Sequence, residues 1–167
     1  AGVMIAQYIG AKLKEKLNEI YTVSIFFNLV LSGVISFILF IGCDVILKFM
    51  KVPLVMVPDA KAYIEIVGGF MFVQAMIDVF SQIFRNNGKT KFGMVIALSM
   101  NIINIVGNYM FLYGPLKHLN LGVRGVALST TFSRIIALVV AIILFKYKIE
   151  GKISVKYLWP FPKEILF

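Results

Sequence analysis

This 167-residue sequence has little of what enzymes and metal proteins commonly use: one cysteine, one histidine and eight acidic residues against seventeen lysines and arginines. A single cysteine excludes a disulfide or a cluster of thiolate ligands within this chain. His118 stands in the loop GPLKHLNLG, without a second histidine or an acid at metal-ligand spacing. The sequence contains no phosphate-binding loop, nucleophile elbow or HExxH pattern. We therefore predict neither an enzyme nor a resident cofactor.

Charge is absent from long stretches. Residues 21–43 and 92–116 contain no charged side chain over 23 and 25 residues, and about 18–20 apolar residues suffice to cross a bilayer as a helix. Residues 62–84 and 125–145 carry very few charges. The chain is 60% hydrophobic with a mean hydropathy of +0.91, and none of these runs alternates as strands do. The sequence predicts an all-α polytopic membrane helix bundle with four complete transmembrane helices.

The flanking segments predict a part of a longer membrane protein. Residues 1–20 read as the end of a preceding helix followed by a basic loop, and residues 21–145 hold the four spans. Residues 146–167 read as a connector that enters another helix after its Pro-x-Pro turn. The expected partners are the bilayer and the remainder of the same polypeptide.

Lysines and arginines are distributed unevenly between the two ends of the predicted spans. Eleven lie in loops on one side and five on the other, and the positive-inside rule places the first set in the cytoplasm. This topology accounts for the net charge of +9 and predicts a multi-pass protein of the plasma or inner membrane with cytoplasmic basic loops. Scattered between spans, these charges do not predict a nucleic-acid surface.

Polar groups inside spans are the functional candidates. In the second span, five polar or charged side chains share one helical face: Gln74, Asp78, Ser81, Gln82 and Arg85. In the fourth span, Arg134 is isolated among apolar residues, at a cost of about 2.5 kcal/mol or more unless it finds a polar partner. Asp78 is the nearest candidate. We hypothesise that the two form a charge relay or a structural ion pair.

The third span contains NIINIVGNYMF, in which Asn101, Asn104 and Asn108 fall within roughly a 60° arc of a helix. Interhelical amide hydrogen bonds could explain any one of them as structural. Three carboxamides on one face favour the wall of a hydrated cavity or a ligand site, with Na⁺ as one ligand that amide oxygens can bind.

The segments FRNNGKTKFGMVIALSMNIINIVGNYMFLYG and NLGVRGVALSTTFSR resemble the multidrug and toxic compound extrusion (MATE) family, and AQYIGAK resembles a turn after its second helix. The similarity covers nearly the whole chain. It implies the end of helix two, helices three to six and the inter-lobe connector of a twelve-helix, two-lobe antiporter. Such a protein would export organic cations, drugs or other amphipathic compounds by alternating access against H⁺ or Na⁺.

The resemblance also implies site residues. Asn104 matches a cavity asparagine of proton-coupled members, Asn108 a position where those members often carry aspartate, and Thr130 a threonine that can face the same cavity. Because a carboxamide cannot take a proton, Asn108 puts the proton relay of such members in question. Two alternatives stay open: a flippase for lipid-linked oligosaccharides or polysaccharides of the same superfamily, and a non-transporting membrane subunit.

Overall fold

A computed structural model describes residues 14–149, with side chains from residue 18 onward. The expectations for the end of a preceding helix and for most of the connector fall on residues 1–13 and 150–167, which lie outside the described part. The helices are α1 (Lys14–Ile41), α2 (Cys43–Phe49), α3 (Val57–Tyr63), α4 (Met71–Asn86), α5 (Thr90–Leu112) and α6 (Gly122–Lys148).

The all-α membrane bundle is confirmed. Within the described residues, α1, α5 and α6 are each long and apolar enough to cross a bilayer, and a fourth span results if α3 and α4 are taken together. The third span ends at Leu112 rather than at residue 116 because the chain turns there: the N–H of Gly114 donates to the carbonyl of Tyr109 and that of Leu116 to Met110.

The second span is bent, whereas we expected one continuous helix over residues 62–84. A single π-helical turn, Ile64–Gly68, follows α3, and the axis then changes direction by 43° before α4 begins. Gly68 and Gly69 lie at the bend against α1. A Cβ atom on Gly68 would lie 3.4 Å from the Leu39 Cβ, and one on Gly69 would lie 3.3 Å from a ring carbon of Phe40. The two glycines therefore allow α1 to approach the bend closely.

Ser36 of α1 compensates for the backbone bonding lost at this bend. Its hydroxyl oxygen accepts a hydrogen bond of 3.0 Å from the backbone N–H of Phe72, in the first turn of α4. Ser36 is only 4% exposed, and an unpaired N–H inside the membrane has no water to bind. A side chain from one helix thus caps the start of another within a span.

We predict that Ser36→Ala lowers the free energy of unfolding by about 1–3 kcal/mol, the cost of leaving a buried donor unpaired. Ser32→Ala is the matched control. Ser32 is similarly buried, but its hydroxyl donates to the Asn28 carbonyl of its own helix, which retains its helical bond. The apparent melting temperature in lipid nanodiscs should fall for Ser36→Ala and change little for the control. Equal losses in both variants would contradict a capping role.

The apolar core is concentrated at the end of the bundle that carries most of the basic residues. There the Phe145 ring packs edge-on against Tyr21 and Phe80, with ring centroids 6.0 and 5.5 Å apart. The Tyr21 hydroxyl accepts a hydrogen bond of 2.8 Å from Asn87. This cluster fixes α1, α4 and α6 to one another and leaves the polar stripe of α5 beyond it, nearer mid-span.

Helices α5 and α6 pack closely against each other. Gly107 lies against Ser129, and a Cβ on Gly107 would lie 3.1 Å from the Ser129 Cβ and closer still to its hydroxyl oxygen. Gly125, Ser129 and Ser133 recur at every fourth residue of α6 and are all buried. Small residues at this spacing let two helix backbones approach closely. Inside a membrane, where the hydrophobic effect does not drive helices together, this close packing stabilises their association. This contact positions the candidate site.

Candidate functional site

Asn104, Asn108 and Thr130 come together across the contact between α5 and α6. The side-chain amide of Asn108 donates to the Asn104 Oδ1 at 3.1 Å, and the amide of Asn104 donates to the Thr130 Oγ1 at 3.0 Å. The Thr130 hydroxyl in turn donates to the Val126 carbonyl at 2.9 Å. These three hydrogen bonds form one continuous chain, which we call the carboxamide chain.

The carboxamide chain has a fixed direction. Because Thr130 uses its single proton on the Val126 carbonyl, its oxygen can only accept from Asn104. The Asn104 amide nitrogen must then face α6, and its oxygen must face Asn108. The direction of every donor therefore follows from one threonine.

The free end of the carboxamide chain is a hydrogen-bond acceptor, the side-chain oxygen of Asn108. The Asn108 Oδ1 is shielded from solvent and has no hydrogen-bond partner among the described residues. Buried polar atoms in native proteins nearly always have a partner. A donor or a cation is thus the complement that this oxygen lacks.

Ser129 of α6 also holds the carboxamide chain in place, through the backbone of Asn104. Its hydroxyl donates to the backbone carbonyl of Asn104 at 3.2 Å, and the side chain is 4% exposed. The sequence analysis missed Ser129, although the recurrence of small residues every four positions along α6 was a usable signal. Asn101 lies on the same stripe but is exposed, and its side chain makes no hydrogen bond within residues 18–149. The carboxamide chain therefore includes two of the three predicted asparagines.

Gln74 and Asp78 form a second polar group. The Gln74 amide donates to the Asp78 carboxylate at 3.1 Å. They line a recess of about 190 Å³ between α4 and α1, together with Asn28 and Ser32. The two α1 residues were missed, although their spacing of four in a charge-free run could have indicated a polar face.

Ser81, on the same predicted face of α4, is buried where Gly93 of α5 packs against its backbone, so this part of the face contacts protein. Arg134 does not meet Asp78: within the described part of the chain neither takes part in an ion pair. Asp78 faces the α1 side of α4, while Arg134 is half-buried one turn from Thr130 on α6. The hypothesised pair is not formed in this conformation.

No three histidine, cysteine, aspartate or glutamate side chains come together as a metal site in the part of the chain that the structure describes. Cys43 is buried and His118 is exposed in a turn, where its ring contacts the Pro115 carbonyl. In the described spans the polar groups near the carboxamide chain are neutral amides and hydroxyls together with the half-buried Arg134, whereas the acids Asp78 and Glu65 lie on the bent second span.

The fold and the site define a class: a multi-pass membrane protein with a broken span and hydrogen-bonded carboxamides inside another. Comparison with known proteins gives the family. Residues 1–110 match the MatE family model, and the chain belongs to that family.

Relatives extend well beyond this chain. It is 37% identical over 164 residues to the "Uncharacterized transporter YisQ" of Bacillus subtilis, and this alignment covers 98% of the present chain and 36% of that protein. It is 28% identical over 172 residues to the "Probable multidrug resistance protein NorM" of Thermotoga maritima, covering 99% and 36%. The chain thus spans about 36% of the length of these relatives.

Solved structures share the fold. The inward-facing conformation of a multidrug resistance MATE family transporter matches with a TM-score of 0.88 and 24% identity, over 99% of this chain and 37% of that one. The outward-facing conformation of such a transporter matches with a TM-score of 0.85 and 24% identity, over 97% and 35%. Two transporter conformations therefore contain a unit of this fold.

Proposed function

We propose that the chain is the first-lobe portion of a multidrug efflux antiporter coupled to H⁺ or Na⁺, which exports organic cations, drugs or other amphipathic compounds. The observation that carries the proposal is the unpaired Asn108 Oδ1 at the end of the carboxamide chain. A buried acceptor inside a membrane span is complementary to a cationic or hydrogen-donating cargo, or to a monovalent cation.

Each predicted residue has a proposed role. Asn104, Asn108 and Thr130 bind cargo or Na⁺ through oxygens that keep a free lone pair. Asn101 extends this wall toward the basic end of the bundle. None of these groups can carry a proton, so protonation requires a carboxylate. Asp78, which accepts a hydrogen bond from Gln74, is the acid that α4 offers inside its span.

The fold similarity supports alternating access by movement of whole lobes. This chain matches transporter structures titled inward-facing and outward-facing almost equally well, as a unit that moves without changing its internal shape would do. The small-residue contact between α5 and α6 and the aromatic core supply the rigidity that such movement needs. Rigid-body motion around a central site is the usual design of transporters built from repeats.

Arg134 favours a second candidate, the flippase for lipid-linked oligosaccharides or polysaccharides. Its half-buried guanidinium has no acidic partner among the described residues, and an anionic headgroup would supply one. Arg134→Gln separates the two: it should reduce transport of an anionic lipid-linked cargo but leave efflux of an organic cation intact.

The proposed orientation places Lys91 in the cytoplasm and Lys117 outside. Both residues are exposed, and the single native cysteine is buried. We predict that Lys91→Cys reacts with a membrane-impermeant maleimide only from the cytoplasmic side and Lys117→Cys only from the outer side. Unmodified protein measures the background from Cys43. Reversed labelling would overturn the orientation.

The transport proposal is tested in vesicles that contain the complete transporter. We expect an imposed inward gradient of H⁺ or of Na⁺ to accelerate efflux of preloaded ethidium. Collapse of that gradient with the matching ionophore is the control and should return efflux to the protein-free rate. Efflux that is indifferent to both gradients would contradict coupling, and no efflux above protein-free vesicles would contradict transport of this cargo.

A further inference from the structure

A second recess lies between α1 and the bend that joins α3 to α4. Its volume is about 360 Å³, and its walls include four phenylalanines and one acid: Phe37, Phe40, Phe70, Phe72 and Glu65. We call it the aromatic recess. It lies toward the end of the bundle that carries few basic residues, since α1 ends there.

The broken span creates the aromatic recess. Phe70 lies at the break and Phe72 in the first turn of α4, with ring centroids 6.1 Å apart. Gly33 of α1 opens the other side, where a Cβ would meet nothing within 4 Å. A continuous helix would not place both rings in the same recess, because residues two apart on a helix point about 200° apart.

The acid beside these rings keeps an uncompensated charge. Lys61 bonds both carboxylate oxygens of Asp44, at 2.7 and 2.8 Å, and stands 3.9 Å from Glu65. One lysine against two carboxylates leaves one negative charge in this group. Because Asp44 holds the ammonium more closely, the excess falls on Glu65, at the edge of the aromatic recess.

Phenyl faces and a carboxylate attract the same kind of ligand. The face of an aromatic ring carries negative electrostatic potential and attracts cations, most strongly those with weakly hydrated apolar substituents. The recess volume lies in the range of about 300–1,000 Å³ that is usual for small-molecule sites. A lipid acyl chain would gain nothing from Glu65, and an anion would be repelled by it.

We propose that the aromatic recess is a binding site for a small quaternary or arylalkyl ammonium ion, separate from the carboxamide chain. The ammonium lies near Glu65 with its substituents against the phenylalanine rings. The site lies on α1, the π-helical turn and α4, whereas the carboxamide chain lies on α5 and α6. It therefore does not depend on the proposed role of Asn104 in transport.

The test is photolabelling of the complete protein in nanodiscs of zwitterionic lipid with 4-azidobenzyltrimethylammonium, followed by peptide mass spectrometry. We expect label in residues 33–40 and 65–72. Glu65→Gln should reduce that label between about threefold and tenfold, as loss of a partly exposed electrostatic contact does. Asp59→Asn, which neutralises an exposed acid of α3 outside the recess, is the matched control and should label normally.

Aromatic and space-filling variants test the geometry. Phe37→Leu should weaken labelling, whereas Phe27→Leu, which changes an exposed ring of α1 outside the recess, should not. Gly33→Leu should exclude the probe by filling the open side. Label near Asn104 should survive all three changes, and label in the recess should survive Asn104→Ala, so this proposal and the transport proposal can fail separately.

A neutral competitor decides whether charge matters. Neopentylbenzene has the shape of benzyltrimethylammonium but no charge, so it should protect the recess far less than the unlabelled cation does. Equal protection by the neutral compound, or normal recess labelling in Glu65→Gln, would show an apolar groove that takes lipid and would overturn the proposal.

Discussion

Gly107→Ala should lower the apparent melting temperature and separate α5 from α6. The added Cβ would lie 3.1 Å from the Ser129 Cβ and closer to its hydroxyl oxygen, so one of the two helices must move. Ser129 cannot rotate away without giving up its hydrogen bond to the Asn104 carbonyl. Overpacking of this kind costs about 1–3 kcal/mol.

Gly33→Ala is the control for this prediction. Gly33 is also a helical glycine, but a Cβ there would meet nothing within 4 Å. Alanine should be neutral or stabilise by about 0.5–1 kcal/mol because it favours the helix. Ser129→Gly combined with Gly107→Ala should recover part of the loss, since the clashing hydroxyl is gone. If Gly107→Ala and Gly33→Ala behave alike, the close contact does not hold these helices together.

Asn104→Ala should weaken cargo or Na⁺ affinity in the complete transporter by roughly ten- to a hundredfold. This is the loss in affinity that corresponds to removing a hydrogen bond to a charged partner, which contributes about 1.5–3 kcal/mol. Asn104 is the middle of the carboxamide chain, because it accepts from Asn108 and donates to Thr130. Its removal breaks both bonds. The pH midpoint of transport should not move, since an amide does not titrate.

Asn108→Asp provides the sharper test of the same site. Aspartate keeps the shape of the side chain but can exchange a proton, so the transport rate should gain a pH-dependent limb that the native protein lacks. Asn108→Ala is the matched control without a titrating group and should show weakened affinity only. If Asn104→Ala and Asn108→Ala transport normally while their thermal stability falls, the asparagines only hold α5 to α6, as in the non-transporting subunit.

Much of this architecture could be predicted from the sequence. The membrane spans were predictable because bilayer thickness sets a minimum length of apolar helix, and a run without charge is a local property of the chain. The partnership of Asn104, Asn108 and Thr130 was also anticipated, although for Thr130 by resemblance to the MATE family. The two asparagines are four residues apart on one helix, so helical periodicity alone makes them neighbours.

Other features depended on how distant helices meet. The break at Gly69 is capped by Ser36, which lies 36 residues before the Phe72 N–H that it binds. No local sequence pattern reveals that these two residues are close in space. The packing of Gly107 on Ser129 brings together helices whose contacting residues are about 22 positions apart in the chain. Asp78 faces α1 and bonds Gln74 rather than Arg134. Charge and hydropathy indicate which residues need partners inside a membrane, but the rotation of each helix about its axis decides which partners they meet.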